Sequence, residues 1–494
     1  MKYLIGIDIG TSGTKSVLFD TLGNVIASAS SEYPMYQPEN GWAEQDPNDW
    51  WNAVCKTLLE LTAKADGEIA GIGLSGQMHS LVMLDKNNEV IRPAILWCDQ
   101  RTGTECEEIE KEIGRERLIE ITANPALTGF TASKILWVKN NEPHNYEKCA
   151  HVLLAKDYIR FKLTGEYATE VSDASGMQLL DVKNRKWSDE VCEKLGIDMK
   201  LLAKVYESCE ATGHVTDEAS KLTGVKSGTV VAGGAGDNAA AAIGMGVCVN
   251  GKAFTTIGTS GVVFAHTSEP KIDPKGRIHT FCAAVPNTWH VMGVTQAAGQ
   301  SLSWFRRNFA AETSYKEIDA ECQKLPIGAE RLIYMPYLMG ERTPILDPDA
   351  RGIFFGLSAM HTKYHLARAV IEGVSYSLYD CFNVINEVGI EMNDMAICGG
   401  GGKSDFWRQM IADIYGISIK TMASDEGAAL GVAILAGVAA GVYPSVAEGC
   451  NIAVKVKGSY SPNIESRKEY MRFYEVYTSI YPALKDQFKK LSKF

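Results

Sequence analysis

Short apolar runs alternate along the first half of the chain with longer stretches in which apolar residues recur at helical spacing. Residues 68–78 (EIAGIGLSGQM) and 79–85 (HSLVMLD) are typical of buried strands, and residues 50–65 and 105–121 of amphipathic helices. This mixture of strands and helices predicts an α/β protein.

The second half repeats this mixture. Residues 394–398 (DMAIC) predict a strand, residues 364–389 and 404–415 predict helices, and residues 464–492 predict a helical tail that breaks at Pro482. Residues 427–443 carry no charge over 17 positions but are rich in Gly and Ala. We expect a closely packed buried helix there rather than a membrane span.

One pentapeptide, Ile-Gly-Thr-Ser-Gly, occurs at residues 9–13 and again at residues 257–261, about half the chain apart. Apolar segments flank both copies, so each predicts a β-hairpin with a small polar turn. The shared setting predicts a duplicated domain. We expect domains at residues 1–246 and 247–494, each of an α/β type, with a cleft between them.

The composition of the chain excludes several classes of function. The chain of 494 residues is 46% hydrophobic and 22% charged, which is ordinary for a globular enzyme. Its formal net charge is -11 with no basic run, so nucleic-acid binding is not expected. The 12 cysteines form no C-x-x-C pair, which argues against a zinc site or a redox motif. No signal-peptide pattern is visible, and we expect a cytoplasmic protein.

The two hairpin turns are candidates for binding phosphate. Gly, Thr and Ser expose backbone N–H groups and hydroxyls with little bulk, so a nucleotide phosphate can approach closely. Asp8 precedes the first turn within an otherwise apolar strand, where an unpaired carboxylate is costly. A Mg²⁺ ion that bridges phosphate oxygens would pair with it, whereas the structural alternative is a hydrogen-bonded strand-end aspartate.

Residues 233–238 (GGAGDN) predict a tight turn that leads into an alanine-rich helix. Asp237 and Asn238 lie at the helix start, where both residue types are common caps. A carboxylate aimed into a cleft would instead accept a proton from an alcohol during phosphoryl transfer. Spacing alone leaves both interpretations of Asp237 open.

Two glycine-rich segments resemble nucleotide loops without matching their spacing. Gly399–Gly402 follows a strand and opens a helix, but Ile397 stands where a Walker loop requires Gly. The run is therefore either an adenosine or phosphate site or a packing turn. Gly71, Gly73 and Gly76 match G-x-G-x-x-G, but a strand-like segment follows, so a dinucleotide fold is a poor fit.

Three polar clusters follow apolar runs. Gln77-Met78-His79 could line a sugar pocket, although a lone histidine on a turn is more often structural. The clusters at 97–101 (WCDQR) and 341–343 (ERT) are either pocket residues or salt-bridged loops.

Taken together, the segments LIGIDIGTSGTK, GLSGQMHSLVMLD, RPAILWCDQRT, AKDYIRFKLTGE, GGAGDNAAAAIG, IGTSGV, PYLMGERTP and CGGGGKSDFWRQMIADI resemble the FGGY carbohydrate kinases, in the same order. The resemblance runs from residue 1 to about residue 445. It implies two ribonuclease H-like (actin-like ATPase) domains of α/β type around a cleft, and an ATP- and Mg²⁺-dependent kinase. One departure is Ile345, where related bacterial kinases often have His.

The resemblance also implies residue roles. Asp237 is the catalytic base, and Asp8 belongs to the Mg²⁺-ATP site with a catalytic role. Met78, His79 and Asn238 bind the sugar together with Asp237. The nucleotide-binding positions are Thr11, Gly258, Thr259, Gly400 and Gly401.

The Gln before Met78-His79 favours D-xylulose as the acceptor, giving D-xylulose 5-phosphate in pentose catabolism. The alternatives are gluconate, ribulose or another ketose, an actin-like ATPase that acts on a protein partner, and a sugar-binding regulator without transferase activity. The expected partners are a small-molecule sugar and ATP. A homodimer is the assembly considered, and neither nucleic acid nor a membrane is expected.

Overall fold

A computed structural model describes residues 1–494. The strands of the first half are β1 (Lys2–Ile9), β2 (Gly13–Asp20), β3 (Val25–Glu32), β4 (Glu44–Gln45), β5 (Glu68–Gly76), β6 (Val82–Leu84), β7 (Ala94–Ile95), β8 (His151–Leu153), β9 (Ala168–Glu170), β10 (Leu180–Asp181), β11 (Lys186–Trp187), β12 (Lys204–Tyr206), β13 (Ala211–His214), β14 (Val230–Ala232) and β15 (Ala235–Gly236). The strands of the second half are β16 (Lys252–Ile257), β17 (Gly261–Thr267), β18 (His279–Cys282), β19 (Trp289–Thr295), β20 (Ile333–Met335), β21 (Ile353–Phe355), β22 (Asp394–Cys398), β23 (Ile419–Met422) and β24 (Val456–Tyr460).

Helices surround these strands. Those of the first half are α1 (Pro47–Thr62), α2 (Gly103–Ile113), α3 (Arg115–Thr122), α4 (Thr131–Asn141), α5 (Pro143–Lys148), α6 (Ala155–Thr164), α7 (Val171–Ala174), α8 (Asp189–Leu195), α9 (Asp217–Thr223) and α10 (Asp237–Gly244). Those of the second half are α11 (Gly299–Phe309), α12 (Tyr315–Lys324), α13 (Lys363–Glu387), α14 (Asp405–Tyr415), α15 (Gly427–Ala439), α16 (Val446–Ala453) and α17 (Ile464–Leu491).

Two large sheets of seven strands share one topology. The first has the order β13-β14-β5-β1-β2-β3, with β15 also paired to β5, and the second has the order β18-β19-β17-β16-β22-β23-β24. In both, the hairpin (β1/β2 or β16/β17) is antiparallel, and its first strand pairs in parallel with β5 or β22. That strand pairs in parallel with β14 or β23, to which an antiparallel edge strand, β13 or β24, is added. This repetition is what a duplicated domain predicts, and the predicted α/β fold class is confirmed.

The apolar segment at 427–443 forms α15, and its residues from Ala429 to Gly437 are buried. It packs against α10 and against β1 and β5 of the first sheet. The core around α15 contains side chains from both halves, such as Leu4, Ile243 and Leu435. The expectation of a buried helix is thus confirmed. No helix combines the length and apolar character required to cross a bilayer.

Two helical predictions were inaccurate in detail. The segment 105–121 forms α2 and α3 rather than one helix, because Gly114 between them adopts φ 90°. The tail forms α17 without a break, and Pro482 lies inside it. Tyr470, Tyr477 and Phe488, which lie on both sides of the proline, are buried in the hydrophobic core of the second half. Tertiary packing therefore offsets the roughly 3 kcal/mol cost of an interior proline.

Candidate active site

Asp8 lies near the end of β1, opposite Lys15 of β2 in the hairpin register. Lys15 Nζ pairs with Glu426 Oε1 at 2.6 Å. Asp8 Oδ1 is buried and has no hydrogen-bond partner, and burial raises the pKa of this carboxyl. An unpartnered buried carboxylate oxygen fits a divalent cation or a water bound to one.

No cluster of three or more His, Cys, Asp or Glu side chains could hold a metal ion by itself. A cation at Asp8 would therefore need oxygen ligands from a bound molecule. This fits Mg²⁺ carried with nucleotide phosphates, because Mg²⁺ is usually held by one or two carboxylates together with phosphates and water.

Asp237 is the first residue of α10, and Gly236 occupies the cap position. The backbone N–H and the side-chain amide of Asn238 donate to Asp237 Oδ1 at 2.6 and 2.9 Å. Oδ2 accepts no hydrogen bond within the protein. Burial, and then the charge of Asp8, raise the pKa of Asp237 to about 6. One carboxylate oxygen is thus fixed while the other is free to accept a proton.

Buried polar groups hold the turn that carries Asp237. The backbone N–H of Gly236 donates to Ser172 Oγ at 3.2 Å, and Ser172 Oγ donates to Glu170 Oε1 at 2.9 Å. Arg160 donates to the carbonyl of Gly233 and binds Asp157 Oδ1. The side chains that hold the turn are all fully buried, so they fix it from the interior of the protein.

Met78 and His79 adjoin this turn. A Cβ at Gly236 would lie 2.9 Å from Met78 Cγ, so the thioether packs directly on the residue before Asp237. His79 has φ 68°, a left-handed conformation that is uncommon for non-glycine residues. Its Nδ1 lies 2.9 Å from the carbonyl of Gly176.

Two residues of α4 hold the strained His79 backbone. Its carbonyl accepts hydrogen bonds from Lys134 Nζ at 2.9 Å and from Thr131 Oγ1 at 3.2 Å. Burial lowers the pKa of Lys134 to about 7. The sequence analysis missed Lys134, because 55 residues separate it from His79 and no local pattern marks it.

Aromatic residues from both halves surround His79. Its ring centroid lies 4.9 Å from that of Phe130 and 6.2 Å from that of Phe281, and the Phe130 ring lies 5.9 Å from His279. His279 and Phe281 belong to β18 of the second sheet. His79 therefore lies where the two halves meet.

Thr11 and Gln77 contact each other rather than the second hairpin. Trp97 Nε1 donates to Thr11 Oγ1 at 3.0 Å, and Gln45 Nε2 donates to the Thr11 carbonyl at 2.7 Å. Gln77 is buried, and its Nε2 donates to Gln45 Oε1 at 2.9 Å. Gln77 thus supports the first turn through Gln45, and its buried side chain is not accessible to a ligand.

Asp99 and Arg101 of the 97–101 cluster are structural. Arg101 Nη2 binds Asp99 Oδ2 at 2.7 Å, and Arg101 Nη1 binds Glu44 Oε1 at 2.8 Å. The Arg101 guanidinium also stacks over Trp42, 3.6 Å from the ring centroid. For these two residues the salt-bridged loop is the correct interpretation.

A cavity of about 660 Å³ lies in the second half, beside the second hairpin. Its lining includes Gly258, Thr259, Gly299, Gln300, Ser303, Tyr315, Lys316, Asp319, Gly400, Gly401, Ser404 and Trp407. The structure thereby brings the second turn and the glycine run together, whereas Thr11 lies outside this lining. α11 begins at the hairpin, because the N–H of Gly299 donates to the carbonyl of Gly258 at 2.7 Å.

Comparison with known proteins identifies the family. The N-terminal domain of the FGGY family of carbohydrate kinases matches residues 3–244, and the C-terminal domain of that family matches residues 253–440. The xylulose kinase of Bacillus subtilis is 38% identical, over 100% of this chain and 99% of its own. The gluconokinase of Bacillus subtilis is 31% identical, over 100% and 98%.

Among solved structures, the ligand-bound xylulose kinase from Lactobacillus acidophilus is similar at a TM-score of 0.95, with 32% identity over 99% of this chain and 100% of that one. Both domains of that family are present, in order, along this chain. This chain belongs to the FGGY family of carbohydrate kinases.

Proposed function

We propose that this protein transfers the γ-phosphate of ATP to the 5-hydroxyl of D-xylulose. The observation that carries the proposal is the Asp237 carboxylate, which has one fixed oxygen and one free oxygen beside Met78 and near Asp8. A group that accepts the proton of an alcohol needs this combination of fixed geometry and free capacity. The resulting product is D-xylulose 5-phosphate.

Sequence similarity supports D-xylulose as the acceptor. Relatives named xylulose kinase, including those of Staphylococcus epidermidis and Escherichia coli, are 41% and 38% identical over nearly the whole chain. The gluconokinase relative is less similar, at 31%. Gluconate is therefore the second candidate acceptor. A partner-driven ATPase has no comparable support.

In the proposed mechanism, Met78, His79 and Asn238 bind the sugar so that its reacting hydroxyl lies at Asp237. Asp237 accepts the hydroxyl proton as the new bond to phosphorus forms. The N–H groups and hydroxyls of the two hairpin turns, with Thr11 in the first and Gly258 and Thr259 in the second, stabilise charge on the transferring group. Closure of the two halves would exclude water and limit wasteful hydrolysis.

The nucleotide would occupy the cavity beside the second hairpin, with Gly400 and Gly401 at the adenosine. Asp8 would hold Mg²⁺, directly or through water, together with phosphate oxygens. A bound Mg²⁺ neutralises charge on the phosphates. In this proposal residues 1–246 carry the sugar site and the base, and residues 247–494 carry most of the nucleotide site. We place the protein in the cytoplasm and leave the homodimer as a proposal.

A panel of acceptors tests the function. ADP release is measured with Mg²⁺-ATP and D-xylulose, D-ribulose, L-ribulose, gluconate, glycerol or no sugar. We expect D-xylulose to give much the highest kcat/KM, with little ADP release when no sugar is present. A higher kcat/KM for gluconate would make gluconate the proposed acceptor, and the proposal of a sugar kinase would still hold. ADP release that no sugar stimulates would contradict the kinase proposal and favour the partner-driven ATPase.

The raised pKa of Asp237 predicts the pH dependence of turnover. The base works only when ionised, so kcat/KM for D-xylulose should fall about tenfold per pH unit below about pH 6. It should level off above that pH, because the carboxylate is then fully ionised. The residual activity of Asp237→Asn should lack this acidic limb. An unchanged limb in that variant would assign the titration to another group.

Gly176 offers a test of the role proposed for His79. A Cβ at Gly176 would overlap the His79 ring, so Gly176→Ala should displace the imidazole. We expect KM for D-xylulose to rise about tenfold or more, with KM for ATP nearly unchanged, because binding energy is lost only at the sugar. The control is Gly103→Ala, since no atom lies within 4 Å of its added Cβ. Equal sugar KM in the two variants would argue against His79 as a sugar ligand.

A further inference from the structure

The loop at 341–343 contains an arginine with no protein partner. Only backbone atoms of Arg342 form hydrogen bonds: its N–H donates to Glu341 Oε1 at 2.8 Å, and its carbonyl accepts from Leu346 at 2.6 Å. No carboxylate lies within 4 Å of its guanidinium. The buried arginines Arg101, Arg160 and Arg368, by contrast, each bind a carboxylate. Arg342 therefore differs from the arginines that serve the fold.

The neighbouring residue Glu341 forms no ion pair with the Arg342 guanidinium. Its carboxylate is buried and accepts from Thr295 Oγ1 at 2.6 Å, the N–H of Gln296 at 2.9 Å, the N–H of Arg342 and Ser377 Oγ at 3.2 Å. These four donors occupy both oxygens. Glu341 thus anchors the loop to the end of β19 and leaves the guanidinium of Arg342 free.

A second anchor fixes the other side of Arg342. The N–H of Thr343 donates to the carbonyl of Val294 at 3.0 Å, and Thr343 Oγ1 donates to the carbonyl of Arg277 at 2.6 Å. Thr295 pairs with Gly261 at the second hairpin. The backbone of Arg342 is therefore held beside the turn that contains Thr259, on a rigid strand end.

The Arg342 loop lies beside the strand that carries His279, because Thr343 Oγ1 donates to the carbonyl of Arg277. The His279 ring packs near the Phe130 ring, which contacts His79. Burial and then nearby cations lower the pKa of both His79 and His279, and Arg342 is one of those cations for each. Burial also lowers the pKa of Arg342 itself. Arg342 is partly exposed, and its guanidinium has no acceptor within the protein, so a ligand that supplies oxygens would be its first hydrogen-bond partner apart from water.

We infer that Arg342 is a substrate-binding residue that donates hydrogen bonds to the non-reacting end of the sugar. This inference rests on the proposed function. Asp237 marks the reacting hydroxyl, and His79 and His279 mark the other side of the pocket. The planar fork of Arg suits two adjacent oxygens, such as the carbonyl and the terminal hydroxyl of a ketose. Through Arg342, the second half of the protein would then contact a sugar that is bound mainly by the first half.

Steady-state kinetics of Arg342→Met and Arg342→Lys test the inference. We expect KM for D-xylulose to rise at least tenfold in Arg342→Met, with kcat and KM for ATP within threefold of the unmodified enzyme. Arg342→Lys should give an intermediate KM, because lysine keeps the charge but loses the fork. The matched control is Arg351→Met, since Arg351 is exposed and binds only the carbonyls of Pro348 and Ala350.

Direct binding of D-xylulose by calorimetry should weaken by the same factor in Arg342→Met. An unchanged KM and an unchanged sugar affinity would overturn the inference. A collapse of kcat with unchanged KM would also overturn it, because Arg342 would then act on the transferred phosphate. If Arg342→Met does not fold, as judged by thermal unfolding, the Arg342→Lys result decides. Failure of the unmodified enzyme to use D-xylulose would instead contradict the proposed function.

Discussion

Replacing Asp237 with alanine should lower kcat for phosphoryl transfer to D-xylulose by about 10²–10⁴-fold. The free oxygen of this carboxylate is the proposed proton acceptor, and no other group of the Asp237 turn offers one. The isosteric variant Asp237→Asn should lose nearly as much, because it keeps the shape but removes the basic oxygen. ADP release with saturating D-xylulose measures both variants.

Nucleotide binding separates loss of the base from loss of the fold. The cavity proposed for ATP lies in the second half and does not include Asp237. Calorimetric affinity for ADP should therefore stay within about twofold in both variants. The melting temperature should not fall, since the pKa of the removed carboxyl is raised in the folded state and its charged form does not stabilise the fold. Retention of most turnover by Asp237→Ala would show that another group accepts the proton.

Replacing Asp8 with asparagine should lower kcat by about 10²–10³-fold, which is typical for loss of one strong electrostatic stabiliser. Asp8 Oδ1 is buried without a partner, so its charge is proposed to pair with Mg²⁺ carried by ATP. The same substitution should raise the melting temperature of the ligand-free protein, because burial raises the pKa of the Asp8 carboxyl and asparagine carries no charge to desolvate. Opposite effects on turnover and on stability would identify a functional carboxylate.

Asp20→Asn provides the control for Asp8. Asp20 ends β2 of the same hairpin and accepts from Leu22 and Asn24 at the surface. We expect its turnover to match that of the unmodified enzyme. Normal turnover in Asp8→Asn over a range of Mg²⁺ concentrations would remove Asp8 from the proposed metal site.

Much of the fold could be predicted from local sequence. The repeated hairpins, the strand and turn before α14 and the buried α15 each follow from hydrophobic patterns within about 20 residues. The split at Gly114 and the unbroken α17 could not be predicted with the same rules. In α17, buried tyrosines on both sides of Pro482 decide the outcome, and such packing is not visible in a local pattern.

The residues of the candidate site also divide into those that local sequence predicts and those that it does not. Asp8, Asp237 and the pair Met78-His79 stand out as polar residues within apolar or glycine-rich segments. Lys134 and Gly176 do not, although both contact His79, at separations of 55 and 97 residues. Their role depends on a tertiary contact between segments that carry no shared signal. The lack of a partner for Arg342 is likewise visible only when all neighbouring carboxylates are located.

Phosphorus-31 NMR of the reaction of ATP with D-xylulose tests the central proposal most directly. We predict a phosphomonoester signal of D-xylulose 5-phosphate that grows in equal amount with ADP, and no growth of inorganic phosphate. A reaction that yields ADP and inorganic phosphate alone would contradict the assignment of this protein as a xylulose-phosphorylating kinase.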